Sequence, residues 1–176
     1  GQITKREVRA VTLSALRPMR SGLLIDVGAG SGSVGVEWML ADPSCRAIAI
    51  EPRPDRAARV LANAYALGVP DLRLIEGTAP DALAGLPLAD AVFIGGGAGA
   101  PGAIDAAVAA LKPGGRLVVN AVTLETQALL VERHGSDGGD LVEIAIARAE
   151  PVGGFRGLRR AMSVLQWTFV KPGDSR

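Results

Sequence analysis

The sequence predicts an α/β fold: a mainly parallel sheet with helices on both faces. Three observations carry this. Short apolar runs alternate with amphipathic, helix-length stretches along most of the chain. Glycines gather at the ends of the apolar runs, around Gly28, Gly95 and Gly114, where α/β proteins turn between strand and helix. Near the end of the chain two alternating segments follow each other without a helix between them, which predicts an antiparallel pair at one edge of the sheet.

The elements follow in order. Leu23–Val27 reads as a buried strand and 34–40 as the helix after it. Arg46–Ile50 is the second strand. The amphipathic stretch 55–67 is a helix, with Asp55 as its N-cap and Gly68 as its stop. Strands are expected at 72–75 and 91–94. An Ala-rich helix at 103–111 is ended by Pro113 and Gly114. A fifth strand at 116–120 leads to a helix at 124–133, with Thr123 as N-cap and Glu125 placed to favour the helix dipole. The order βαβαβ…βαβα favours a parallel sheet covered on both faces. Segments 141–149 and 162–170 alternate, 151–160 reads as a loop, and 171–176 as a frayed tail. No repeat or linker divides the chain, so residues 1–176 read as one domain. Within it, 1–20 is expected to form an N-terminal helix that covers a cofactor, and 141–171 the late strand pair.

Composition narrows the function. With 176 residues and 48% hydrophobic side chains the chain can bury a core. Aromatics are only 3%, which argues against a base-stacking platform for single-stranded nucleic acid. Nineteen basic against eighteen acidic residues leave a net charge of +1, so no global field points to nucleic acid or a membrane surface. One cysteine, Cys45, allows no internal disulfide, and one histidine, His134, argues against a His-rich metal site. Both read as structural residues. No apolar stretch reaches the roughly 20 residues a spanning helix needs. A cytoplasmic setting is the expectation. The chain begins at Gly1 rather than Met, so a fragment of a longer polypeptide is also expected.

The sharpest chemical signal is the run Asp26, Val27, Gly28, Ala29, Gly30, Ser31, Gly32, a strand entering a glycine turn before a helix. Glycines there permit positive φ and close approach of the backbone to a ligand. Asp26, two residues before the first glycine, suits a ligand carrying an amine and would repel a pyrophosphate. Glu51 closes the second strand, where a carboxylate can accept hydrogen bonds from both ribose hydroxyls. Together these fit S-adenosyl-L-methionine better than NAD. A turn that serves only tight helix–strand packing is the bland alternative. Thr78 and Ala79, in the loop after the third strand, would meet the far end of the nucleoside. Gly95, Gly96 and Gly97 follow the fourth strand without a general base among them; Gly95 is expected at the cofactor, and the loop with Gly96 and Gly97 reads as the floor of a wide acceptor site, a flexible connector being the bland alternative. Asn120, Thr123 and Glu125 lie at the carboxyl end of the sheet, where open α/β folds bind ligands. Arg148, Arg156, Arg159 and Arg160 are suited to carboxylates, although solvated surface is the usual fate of such residues.

These residues resemble a known family. Thr4, Glu7, Val8 and Arg9 at the start, the turn from Asp26 to Gly32, Glu51, the Glu76-Gly77-Thr78-Ala79-Pro80-Asp81 loop, the triple glycine, Lys112-Pro113-Gly114-Gly115 and the Leu124-Glu125-Thr126 triplet carry it. Over nearly its whole length the chain is similar to the decarboxylating precorrin methyltransferases of cobalamin biosynthesis, and most to the C-terminal half of the fused C5,15-methylating enzymes. The resemblance implies a Rossmann-like class I S-adenosylmethionine-dependent methyltransferase fold, its seven-stranded mixed sheet holding six parallel strands and one antiparallel. It implies methylation of a tetrapyrrole at C-15 with loss of carbon dioxide from the C-12 acetate. It places cofactor contacts on Thr4, Gly28, Ala29, Gly30, Ser31, Gly32, Glu51 and Ala79. It also implies a tetramer assembled with help from the late strands, and a covalently linked N-terminal methyltransferase half. Three positions depart from the family's common residues: Glu51 where Asp is frequent, Thr78 where Asp is frequent, and Asn120 where Thr is frequent. A class I methyltransferase acting on RNA or protein, and an NAD(P)-binding module, are the alternative readings.

Overall fold

The computed structural model describes residues 5–173. The chain folds as α1 (Arg6–Leu16), β1 (Leu23–Val27), α2 (Ser33–Ala41), β2 (Arg46–Ile50), α3 (Pro54–Ala66), β3 (Arg73–Ile75), β4 (Ala89–Ile94), α4 (Ala103–Ala109), β5 (Leu111–Ala121), α5 (Leu124–Asp137), β6 (Asp140–Ile144), β7 (Ala147–Val152), β8 (Phe155–Arg160) and β9 (Val164–Val170). Seven strands form one sheet in the order β3-β2-β1-β4-β5-β9-β6. β1 to β5 pair in parallel, and β9 runs antiparallel to both β5 and β6. β6 is therefore parallel to β5, which gives six strands of one sense and one of the other. The antiparallel strand sits one place inside the edge, and β6 forms the edge itself.

Alternation along the parallel strands explains the two-layered core. Leu24 packs toward one face with Leu16, Trp38, Met39 and Val60 of the covering helices. Ile25 and Val27 face the other way, with Ile104, Leu130 and Trp167. With so few aromatic rings, each face receives one fully buried tryptophan. Each indole N–H finds a carbonyl: Trp38 Nε1 donates to Gly22 O at 3.3 Å and Trp167 Nε1 to Gly138 O at 2.9 Å.

Several expected boundaries move. α3 begins at Pro54, with Arg53 as N-cap; Asp55 lies in the first turn and pairs with the Arg53 guanidinium at 3.1 Å. Proline at the first helical position needs no N–H partner, so it takes the start that Asp55 was expected to mark. The helix expected at 103–111 ends at Ala109, and Leu111 already pairs with Ala89 in the sheet. Residues 112–115 bulge out of that ladder, because Pro113 has no N–H and Gly114 sits at φ +77. Segment 151–160, expected as a loop, is part of a hairpin in which β8 pairs antiparallel with β7. The expected strand 141–149 breaks after Ile144 into β6 and β7. Cys45 is buried and its thiol donates to Met19 O at 3.1 Å.

α1 runs back over the sheet. Arg116 at the middle of β5 donates from Nε to Ala15 O at 2.8 Å near the helix end. Thr12, one turn earlier, meets Asn120 near the end of β5. The beginning of α1 therefore lies at the carboxyl edge of the sheet, where Val8 packs with Ile144 and Val164.

Candidate cofactor and acceptor site

The turn after β1 is fixed by backbone bonds. Gly28 N and Ala29 N both donate to Ile50 O, at 2.9 and 3.1 Å, and Gly95 N donates to Val27 O at 2.9 Å. The ends of β1, β2 and β4 are thus drawn together. Gly28 holds φ +69, and a Cβ there would lie 2.6 Å from Gly96 O. Only glycine lets the two glycine loops touch through their backbones.

A cavity of about 400 Å³ opens above this contact. Of the residues singled out in the sequence, Gly28, Glu51, Thr78, Ala79, Gly95, Gly96 and Gly97 line it. Arg53 and Arg56 line it as well, and sequence reasoning missed them. Their signal was position: both follow Glu51 closely, at the start of the helix that leaves the same strand.

Glu51 is buried, with its carboxylate at the cavity wall. Its Oε2 accepts from Gly30 N at 2.8 Å and its Oε1 from Arg53 N at 3.1 Å. A carboxylate has about four lone-pair sites, so acceptor capacity remains for two hydroxyls. Gly30 therefore acts through Glu51. Ala29, Ser31 and Gly32 support the turn from behind the cavity lining. Gly32 at φ +76 would carry a Cβ 2.9 Å from Val60, so it is required by packing against α3.

Asp26 stands elsewhere than expected. Like Leu24 it faces the α2 side of the sheet, below the turn, and it does not line the cavity. Its Oδ2 accepts from Gly35 N at 3.1 Å, and Oδ1 has no partner among the described residues. Burial pushes its carboxyl up to about 7; the Gly35 N–H opposes the rise, and the Glu51 charge adds to it. Gly35 lets the helix backbone come this close, with Oδ2 only 3.4 Å from where a Cβ would stand.

The candidate substrate residues divide. Gly96 and Gly97 lie in the cavity wall. Asn120 is turned into a polar cluster: its Nδ2 donates to Thr12 Oγ1 at 3.0 Å, and its Oδ1 accepts from Gln166 Nε2 at 2.8 Å. Thr123 caps α5 by accepting from Thr126 N at 3.4 Å, and Glu125 is an exposed first-turn carboxylate. Arg156 is exposed opposite Pro151 near the hairpin tip. Four residues along a strand separate it from Arg160, roughly 13 Å, so it does not share the cavity that Arg148, Arg159 and Arg160 line. Thr4 lies outside the described residues. The described part of α1 does not line the cavity at Gly28.

Comparison with known proteins gives this geometry a family. The model of the precorrin methyltransferase domain matches residues 1–171. The chain belongs to the precorrin methyltransferase domain family. A Sinorhizobium relative, named precorrin-6Y C(5,15)-methyltransferase (decarboxylating), is 58% identical over 171 residues. The match takes in 97% of this chain and 41% of that protein, so the chain spans about two-fifths of its length. A Salmonella typhimurium relative, named cobalt-precorrin-6B C(15)-methyltransferase (decarboxylating), is 39% identical over 155 residues, covering 86% of this chain and 80% of that one. The crystal structure of the C-terminal domain of precorrin-6Y C5,15-methyltransferase from Rhodobacter capsulatus superposes with a TM-score of 0.90 at 51% identity, over 97% of this chain and 92% of that chain. The precorrin methyltransferase domain thus has the methyltransferase sheet expected from the resemblance, and the family supersedes the NAD(P)-binding alternative.

Proposed function

We propose that this domain transfers a methyl group from S-adenosyl-L-methionine to C-15 of a precorrin and promotes loss of carbon dioxide from the C-12 acetate, in the cytoplasmic synthesis of cobalamin. The observation that carries the reading is the match to the Salmonella protein. Its name assigns C-15 methylation and decarboxylation together, and the chain covers 80% of it. The remainder of a longer, fused polypeptide would supply an N-terminal methyltransferase half, in keeping with the 41% coverage of the Sinorhizobium relative. We also propose assembly as a homotetramer through the late strands.

The cavity fits the cofactor. Its volume is within the usual range for small-ligand sites. The missing Cβ at Gly28 leaves a cradle between two backbones, and Glu51 presents a fixed carboxylate to ribose hydroxyls. The bound cofactor would supply an electrophilic methyl on a sulfonium. Among the described lining residues Glu51 is the one carboxylate, and it already accepts two backbone N–H groups. No general base stands in the 95–97 loop. An electron-rich ring carbon needs none, whereas a hydroxyl or amine would. The domain's contribution is then alignment of acceptor and methyl.

Two measurements test the reading. Calorimetry with S-adenosylhomocysteine should show binding by the parent and at least roughly ten-fold weaker binding by Glu51→Gln, the size expected for one charged hydrogen bond. Mass spectrometry of a reduced precorrin after turnover should show the gain of a methyl and the loss of carbon dioxide. Absence of heat with the parent, or a product that gains a methyl and keeps its carboxyl, would refute the reading.

A further inference from the structure

A second cavity, of about 430 Å³, lies between the start of α1 and the β7–β8 hairpin. Six cations line it: Lys5, Arg6, Arg9, Arg148, Arg159 and Arg160. Glu150 is the one acid in the lining among the described residues. In a chain whose net charge is +1, this concentration of one sign is local and costly.

The hairpin register sharpens the cost. Arg148 stands directly opposite Arg159 in the ladder. Like charges facing each other across two strands destabilise the pair. Two exposed ion pairs offset this in part: Arg148 with Glu7 at 2.6 Å and Arg159 with Glu150 at 3.2 Å. Such exposed pairs contribute little and are screened by salt. Arg6 and Arg160 make no ion pair within 4.0 Å among the described residues.

The place matters as much as the charge. β6 ends at Ile144 and β9 begins at Val164, both at the carboxyl edge of the sheet, and the hairpin springs from between them. Both cavities therefore open along one edge. From β4 to β6 there are three strand steps, roughly 14 Å. A ligand whose reacting carbon sits at Gly96 and whose arms reach the second cavity must be wide, and a lining of six described cations against one acid favours carboxylates on those arms.

We infer that the cavity between the start of α1 and the β7–β8 hairpin binds the carboxylate arms of a polycarboxylate, with Arg6 and Arg160 as its free cations. Arginine suits this because its planar fork takes a carboxylate in two parallel bonds. The inference rests on the proposed function only for the identity of the macrocycle. It shifts the expected contact from Arg156 to residues deeper in the hairpin and adds the start of α1, which no motif singled out for this role.

The test uses uroporphyrin, a porphyrin with eight carboxylates, its uncharged octamethyl ester, and a short single-stranded RNA. The double variants Arg6→Gln/Arg160→Gln and Arg6→Lys/Arg160→Lys break no ion pair among the described residues, so both should keep the parent's thermal midpoint. Fluorescence titration should show salt-sensitive uroporphyrin binding by the parent, at least ten-fold weaker binding by the Gln variant and partial recovery in the Lys variant, with affinity for S-adenosylhomocysteine unchanged throughout. The inference is overturned by equal uroporphyrin affinity in parent and Gln variant, by equal binding of the ester, or by RNA that binds these arginines more tightly than the porphyrin. A parent that binds uroporphyrin through these arginines but takes no S-adenosylhomocysteine would uphold this site while the proposed function fails. Binding of S-adenosylhomocysteine with uroporphyrin indifferent to Arg6 and Arg160 would do the reverse.

Discussion

Asp26 and Gly28 lie two residues apart and face different demands. Asp26 pays for anchoring α2 with a buried carboxyl whose proton affinity is raised to about 7. In the unfolded chain it returns to the ordinary aspartate range. The folded protein therefore holds the extra proton, and this group's contribution to stability is full at low pH and declines as pH rises through 7. The loss between pH 5 and pH 8 should be about 3 kcal/mol. Urea unfolding at the two pH values checks it: Asp26→Asn, which removes the titration, should show a drop smaller by that amount. An equal drop in parent and variant would mean that the carboxyl titrates normally. For Gly28 the issue is space. Gly28→Ala must push the 95–97 loop out of the cavity wall, because its Cβ would stand 2.6 Å from Gly96 O. Gly68→Ala carries a similar positive φ, +82, with nothing within 4 Å. Both variants should lose roughly 1–2 kcal/mol to backbone strain, but only Gly28→Ala should also lose at least ten-fold in S-adenosylhomocysteine affinity. Calorimetry on the pair separates strain from clash.

At the scale of elements, the joint between α1 and the sheet is apolar at Val8 and Leu16 but polar at Thr12 between them. Thr12 Oγ1 accepts from Asn120 Nδ2 at 3.0 Å and from Gln166 Nε2 at 3.1 Å, all three groups at least partly buried. Thr12→Val would strand two donors, and the expected loss is about 1–3 kcal/mol. Thr12→Ser, which keeps the hydroxyl, should recover most of it in chemical denaturation. This triangle also marks where sequence reading stops. β1, β2 and α5 were legible because each carries a local signal: an apolar run, a glycine turn, or a capping threonine. The cluster joins residues 108 and 154 positions apart, and no local pattern in the sequence reports such a meeting. From the sequence alone, the strand-end position of Asn120 therefore points to a substrate residue. Asp26 misled for a related reason: parity in the strand, which aims it beneath α2, outweighs closeness to the glycine turn. The β7–β8 hairpin was hidden by its composition. Arginines and glycines fill 153–160 and read as loop, while the ladder that makes them strands is supplied by the partner strand.

Across the whole molecule that hairpin is the part least supported by its own chain. It forms a two-stranded sheet apart from the seven-stranded one, and an isolated two-stranded sheet is marginal in water. Its apolar side chains make the imbalance plain: Val152 and Phe155, paired across the tip, are 62% and 84% exposed, and Leu158 is 75% exposed. A second copy of the chain is the cover we propose, consistent with the tetramer that the family resemblance implies. Light scattering should therefore give a mass near four chains for the parent and a smaller one for Phe155→Glu/Leu158→Glu. Because neither residue lines the cavity at Gly28, S-adenosylhomocysteine should bind parent and variant alike. A monomeric parent at micromolar concentration would sink the assembly proposal, and a variant that stays tetrameric would place the interface on another face. The cation cavity shares the base of this hairpin, so the proposed assembly predicts a coupling to polycarboxylate binding: uroporphyrin should bind the dissociated variant more weakly, because a hairpin released from its partners would hold Arg148, Arg159 and Arg160 less firmly against α1.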